Sequence, residues 1–183
     1  MAESMIDADI LYWIHASLSS GAMDAVMKAV TMSGNYAAVW LIVSAVLILR
    51  KPTRNAGTVM ILALVAGHVL NDYVIKEIVA RPRPFVEDPS IVLIIDPPGG
   101  YSFASGHTVK AFAAAFALFI YERKWGSVAL CYAALMGFSR MYLCIHYPSD
   151  VVAGAFIGIF CALLVYYIMK NVDKRFEVSS EGG

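Results

Sequence analysis

Five largely apolar runs, at about residues 36–49, 57–80, 105–121, 127–143 and 148–169, make up most of the chain beyond residue 35. Runs of this length leave few folds open. A backbone surrounded by lipid must satisfy its hydrogen bonds within its own segment, so each run is expected to be a membrane-crossing helix. Composition agrees: 60% of the 183 residues are hydrophobic and 15% are charged, against roughly half and a quarter in soluble domains. The reading is an all-α integral membrane protein, a helical bundle of about five to six transmembrane helices with N-terminal interfacial helices. It forms one domain, with interfacial helices at 1–33, the bundle at 34–170 and a polar, frayed cytoplasmic tail at 171–183.

The N-terminal stretch differs from the runs. In residues 6–18, Ile6, Ile10, Trp13, Ile14 and Leu18 recur at helical spacing, while Asp7, Asp9 and His15 interrupt them. That pattern suits a helix on the membrane surface with Tyr12 and Trp13 at headgroup level and His15 solvated. Residues 22–33 form a second short helix whose Asp24 and Lys28 argue against a span. The acidic start (Glu3, Asp7, Asp9) lacks the basic region of a cleavable signal peptide. Zero formal net charge gives no reason to expect nucleic acid as a partner. Cys131, Cys144 and Cys161 stand singly in apolar surroundings without a CxxC pair, so they are read as packing residues.

Ionisable groups at membrane depth are costly and mark function. Here they gather in three places. Ser139 to Asp150, SRMYLCIHYPSD, holds Arg140, His146 and Asp150. His146 and Asp150 are four apart and share a face if the following helix begins by His146. A histidine held by a carboxylate through one ring nitrogen offers the other as base or nucleophile. The second run carries His68, Asp72 and Lys76 at i, i+4, i+8, a stripe that must face protein or water. Asp72 is expected to hold Lys76 while Lys76 points at a ligand, and His68 to pack within the bundle. Arg81-Pro82-Arg83-Pro84 then ends the helix and fixes two guanidiniums just outside the bilayer. The third run opens with Ala104-Ser105-Gly106-His107, a helix start whose free N–H groups suit an anion. Gly154 and Gly158 form a GxxxG that permits close helix packing beyond Asp150.

Alternating spans bring these three places to one membrane face. The other face carries Arg50, Lys51, Arg54, Arg123, Lys124, Lys170, Lys174 and Arg175, and is cytoplasmic by the positive-inside rule. Arg81 and Arg83 count against this orientation. The site is therefore expected on the extracytoplasmic side of the plasma (inner) membrane. Lys76, Arg83, Arg140 and the Ser105–Gly106 helix start make a socket for a phosphate dianion and for the charge of a phosphoryl-transfer transition state. Two histidines suggest one that attacks and one that protonates the leaving oxygen. Without a carboxylate cluster to hold Mg²⁺, neither metal nor cofactor is expected.

Lys76-x6-Arg83-Pro84, Ser105-Gly106-His107 and Ser139-Arg140-x5-His146-x3-Asp150 together resemble the three-part signature of the type 2 phosphatidic acid phosphatase (PAP2) superfamily. Three spaced motifs in order are highly specific, and the resemblance covers about residues 36–170. It implies a metal-independent phosphatase of lipid phosphates. It also implies His146 as nucleophile through a phosphohistidine, Asp150 orienting it, and His107 as general acid. Lys76, Arg83, Ser105, Gly106 and Arg140 would bind phosphate. Ala104 stands where the family usually has proline, which loosens the turn but removes no catalytic group. The small size and the Arg81-Pro82-Arg83-Pro84-Phe85 run resemble bacterial undecaprenyl-diphosphate phosphatases, with Arg81 and Lys110 as possible headgroup contacts. That implies hydrolysis of undecaprenyl diphosphate to undecaprenyl phosphate. Phosphatidylglycerophosphate or phosphatidate phosphatases share the motifs. A non-catalytic lipid-phosphate binding or transport protein would not need both histidines, and a channel on the His68 stripe would not need the other motifs.

Overall fold

The structure, a computed structural model, describes the backbone of residues 2–181 and the side-chain surroundings of residues 6–172. Helices α1 (Ala2–Leu18) and α2 (Gly21–Ser33) precede the bundle. Tyr36 and Ala37 adopt left-handed φ values of 55° and 56°. There the chain turns by 53° from α2 into α3 (Ala38–Leu49). Next come α4 (Arg54–Leu70), a π-helical turn over Asn71–Ile75 and α5 (Lys76–Val79), in one continuous rod. A widened turn of this kind often marks a functional position in a helix. Here it carries Asp72. Left-handed Ala80 and Pro82 end the rod, and α6 (Pro84–Glu87) opens the long loop that follows. The remaining helices are α7 (Gly106–Tyr121), α8 (Arg123–Tyr142) and α9 (Pro148–Glu181).

The five apolar runs thus become α3, the α4–α5 rod, α7, α8 and α9. Two described helices are long and apolar enough to cross a membrane alone, at Lys51–Glu87 and Pro148–Val172, and the bent α2–α3 pair would be a third. The tail expected to fray continues α9 as helix to Glu181.

α7 is the central helix, packed against α4, α8 and α9. Its alanines explain why. Ala111, Ala113, Ala114, Ala115 and Ala117 are all fully buried, and small side chains let neighbouring backbones approach closely. The GxxxG of α9 lies on this seam. A Cβ on Gly158 would sit 2.5 Å from the Val109 carbonyl oxygen, and one on Gly154 would sit 3.0 Å from that of Ser105. The packing brings the start of α7 against the start of α9.

α1 and α2 are docked on the bundle as well as apolar on their outer faces. Leu11 packs with Cys144 and Tyr147, and Ile14 with Tyr142, Leu143 and Ile145. Asp24 of α2 accepts a 2.5 Å hydrogen bond from the Tyr142 hydroxyl. Tyr12 donates to Asp88 at 2.7 Å, and that carboxylate raises the Tyr12 phenol to about 12. His15 is exposed, as its position on α1 implied.

Candidate functional site

His146 lies in the short connection between α8 and α9, with only 2% of its surface exposed. Its Nε2 is 3.2 Å from Arg83 Nη1. A guanidinium can only donate, so Nε2 accepts and the ring proton sits on Nδ1. That proton faces Asp150 Oδ2 at 3.5 Å and Ser102 Oγ at 3.4 Å. The carboxylate contact is longer than an ordinary hydrogen bond, and with the imidazole neutral it is a charge–dipole contact. Burial is the main influence pushing His146 down to about 3; the Asp150 bond opposes it, and the charges of Arg83 and Arg140 reinforce it. The imidazole is therefore neutral at pH 7, with its unprotonated nitrogen towards the cations.

Asp150 is fully buried and held from four directions. Oδ2 accepts from Ser102 Oγ at 2.5 Å and from the Tyr147 N–H at 2.9 Å, beside its contact with His146. Oδ1 accepts from Arg81 Nη1 at 2.9 Å. A carboxylate so fixed orients the histidine beside it.

Arg83 is placed by the loop opposite. Its Nε donates to Gly100 O at 2.9 Å, Nη2 to Gly99 O at 3.0 Å and Nη1 to Ile145 O at 3.0 Å. Gly100 makes this possible with φ of 74°, a conformation costly for other residues. Arg140 enters from α8, donates to the Thr31 hydroxyl and is 4% exposed. Its Nε is buried without a partner. A buried guanidinium with an unused donor is poised for an anion.

The start of α7 completes the site. A Cβ on Gly106 would lie 3.1 Å from Asp72 Oδ1 and 3.6 Å from Lys76 Nζ, so a bare backbone faces the Lys76–Asp72 pair. Lys76 Nζ is 3.0 Å from Asp72 Oδ1 and Lys110 Nζ is 3.9 Å from Oδ2. One carboxylate against two ammoniums leaves positive charge beside the helix N-terminus. Ser105 is buried, accepts from the Thr108 hydroxyl at 2.9 Å and donates its N–H to Asp150 O at 3.1 Å. Its hydroxyl thus ties to the first turn of α7 through Thr108, while its backbone N–H makes the junction with α9. His107 Nε2 lies 3.2 Å from Asn35 Oδ1, which makes it a donor. His107 and Arg140 line a cavity of about 650 Å³ with Lys28, Thr31, Asn35 and Asp96, walled by Met32, Leu93, Ile94, Ile95 and Pro98.

Two expectations change. Arg81 does not extend towards a headgroup. It is tied to Asp7, Ser149 and Asp150 and lies over the Tyr147 ring, 3.8 Å from its centroid. His68 is not packed in the bundle: its side chain is 46% exposed, with Nδ1 2.5 Å from Asp72 Oδ2. Lys110 sits at the edge of the socket on Asp72. The sequence reading passed over Ser102, Asp7, Thr31 and Asn35. Ser102 had one available signal, its place three residues before Ser105 at the end of the glycine-rich loop. Among the described residues no group of three or more His, Cys, Asp or Glu side chains is placed to hold a metal.

Residues 52–174 match the PAP2 superfamily. The chain is 33% identical over 127 residues to the undecaprenyl-diphosphatase of Sulfolobus acidocaldarius, covering 69% of this chain and 61% of that protein. It is 33% identical over 119 residues to the lipid A 4'-phosphatase of Bacteroides thetaiotaomicron, covering 61% and 52%. The chain thus spans between half and about three fifths of the length of these relatives. Its fold superimposes on the crystal structure of a PAP2 type phosphatidylglycerolphosphate phosphatase from Bacillus subtilis with a TM-score of 0.76, at 24% identity, covering 93% of this chain and 88% of that one.

Proposed function

The chain belongs to the PAP2 superfamily, and we propose that it is a metal-independent lipid phosphatase that converts undecaprenyl diphosphate to undecaprenyl phosphate. The carrying observation is the His146 arrangement: a neutral imidazole whose Nε2 lone pair meets Arg83 while Nδ1–H faces Asp150. Arg83 turns its Nη1 donor from His146 Nε2 to a phosphate oxygen, and the freed Nε2 attacks the terminal phosphorus as the bond to the bridging oxygen breaks. His107, entering the step as the imidazolium beside the substrate's phosphates, gives a proton to that oxygen, which departs as the lipid monophosphate and leaves His107 neutral. A water deprotonated by His107 then attacks the phosphohistidine, releasing inorganic phosphate and restoring both histidines. Asp150 offsets the positive charge that His146 acquires. Lys76, Arg83, Arg140 and the Gly106 backbone hold the equatorial oxygens, whose charge grows in the transition state.

The diphosphate assignment draws on the named relative and on the cavity beyond His107. The cavity lined by His107 and Arg140 is also lined by Lys28 and Asn35, which would meet a second phosphate held there. A lipid phosphomonoester is the second reading, favoured by the similarity to a lipid A phosphatase. The site is read as opening on the extracytoplasmic face, because the basic turns at 50–54 and 122–124 lie at the opposite end of the bundle. Its partners are then membrane lipids and the substrate itself. The test is phosphate release from undecaprenyl diphosphate, phosphatidylglycerophosphate and phosphatidate, each with and without EDTA. The diphosphate should be the best substrate and EDTA should have little effect. Preference for a monoester would favour the second reading, and loss of activity in EDTA would overturn the metal-free chemistry.

A further inference from the structure

α1 lies outside the five-helix bundle, yet one of its carboxylates reaches the catalytic pair. We propose that Asp7 is a positioning residue for phosphoryl transfer, acting through Arg81 on Asp150. The proposal rests on the phosphatase reading above.

The link is continuous. Arg81 Nη2 donates to Asp7 Oδ2 at 2.9 Å, and Nη1 donates to Asp150 Oδ1 at 2.9 Å and to Ser149 Oγ at 2.7 Å. The Ser149 N–H donates to Asp7 Oδ1 at 3.1 Å, and its hydroxyl donates to Oδ2. Tyr147 supports one face of the guanidinium. The side chains of Asp7, Arg81 and Asp150 are 12%, 21% and 0% exposed, so water screens this network weakly. Leu11 and Ile14 anchor the same helix beneath the connection that holds His146.

Two consequences follow. With Arg81 fixed at both edges, Asp150 Oδ1 is fixed too, and this aims Oδ2 at His146 Nδ1. The second consequence is electrostatic. Asp150 alone would neutralise Arg81, so the added carboxylate leaves the Asp7–Arg81–Asp150 group with a charge of minus one. That excess is of little use to a resting site with neutral His146. It becomes favourable when His146 takes on positive charge in forming the phosphoryl–nitrogen bond. Asp7 should therefore act on the chemical step rather than on lipid capture.

The test compares wild type, Asp7→Ala and Asp7→Asn in the full chain in detergent–lipid micelles, with kcat, KM and the unfolding temperature measured for each. Asp7→Ala should lose roughly tenfold in kcat, the lower end of the loss when a partner behind a metal-ligating histidine is removed, with KM within about twofold. Asp7→Asn keeps an acceptor for Arg81 without the charge and should fall between. A folded Asp7→Ala with wild-type kcat overturns the proposal, as does a loss confined to KM. If Asp7→Ala does not fold, Asp7→Asn decides on the same criteria. A wild type inactive on every lipid overturns the phosphatase reading and this inference with it; an active wild type beside unaffected variants overturns the inference alone.

Discussion

Replacing Gly158 with alanine tests how the packing of α7 on α9 supports the site. The new methyl carbon would stand 2.5 Å from Val109 O, 2.8 Å from Ala113 N and 3.0 Å from Phe112 Cβ. Comfortable contacts need about 3.5 Å, so the helices must part locally by roughly 1 Å. Two of the three obstacles are backbone atoms, which no rotamer change can move. Overpacking of this kind costs about 1–3 kcal/mol, offset by up to about 1 kcal/mol from the higher helix propensity of alanine. Backbone obstacles put the overpacking at the upper end of that range, about 2–3 kcal/mol, so the net loss is about 1–2 kcal/mol. At about 2–4 °C per kcal/mol for a chain of this length, the unfolding temperature in detergent should fall by about 2–8 °C. Activity should fall as well, because α7 carries Ser105–His107 and α9 carries Asp150. Gly21→Ala is the control, since a Cβ there meets nothing within 4 Å. A Gly158→Ala protein that unfolds at the wild-type temperature would refute the packing argument.

Two further outcomes follow from the site. His146 is held at about 3 when folded, below its unfolded value of about 6.5. The unfolded chain therefore takes up a proton that the fold refuses. Stability from this group is present above pH 6.5 and is lost as pH falls towards 3. His146→Gln should flatten the loss of unfolding temperature between pH 6.5 and pH 4, and an unchanged slope would contradict the buried neutral imidazole. Lys28→Gln should raise KM for a lipid diphosphate by roughly tenfold, about 1.4 kcal/mol, with little change for a monophosphate. An equal effect on both would remove Lys28 from second-phosphate recognition.

The bundle was legible because lipid demands long uninterrupted apolar segments, and α3, the α4–α5 rod, α7, α8 and α9 all follow those runs. The site motifs were legible because charged residues at membrane depth stand out against such runs. What escaped was the long-range pairing. Arg81 looked free because its partners, Asp7 and Asp150, are 74 and 69 residues away. Asp7 itself looked like an interruption in a surface helix, since nothing in the spacing of α1 marks a docked face. Thr31 and Asn35 enter the site through the bend at Tyr36 and Ala37, two non-glycine residues in left-handed conformation that give no sequence signal. Ser102 is an ordinary loop serine until the loop folds over Asp150.

The central claim is that His146 carries the phosphoryl group. The direct measurement is turnover of lipid diphosphate labelled at its terminal phosphate, quenched in alkali to preserve phosphohistidine, followed by peptide mapping. Label should appear on the peptide containing His146 in the wild type and be absent from His146→Gln, which should also fail to release phosphate. Label on His107 or another residue, or full turnover by His146→Gln, would contradict the mechanism.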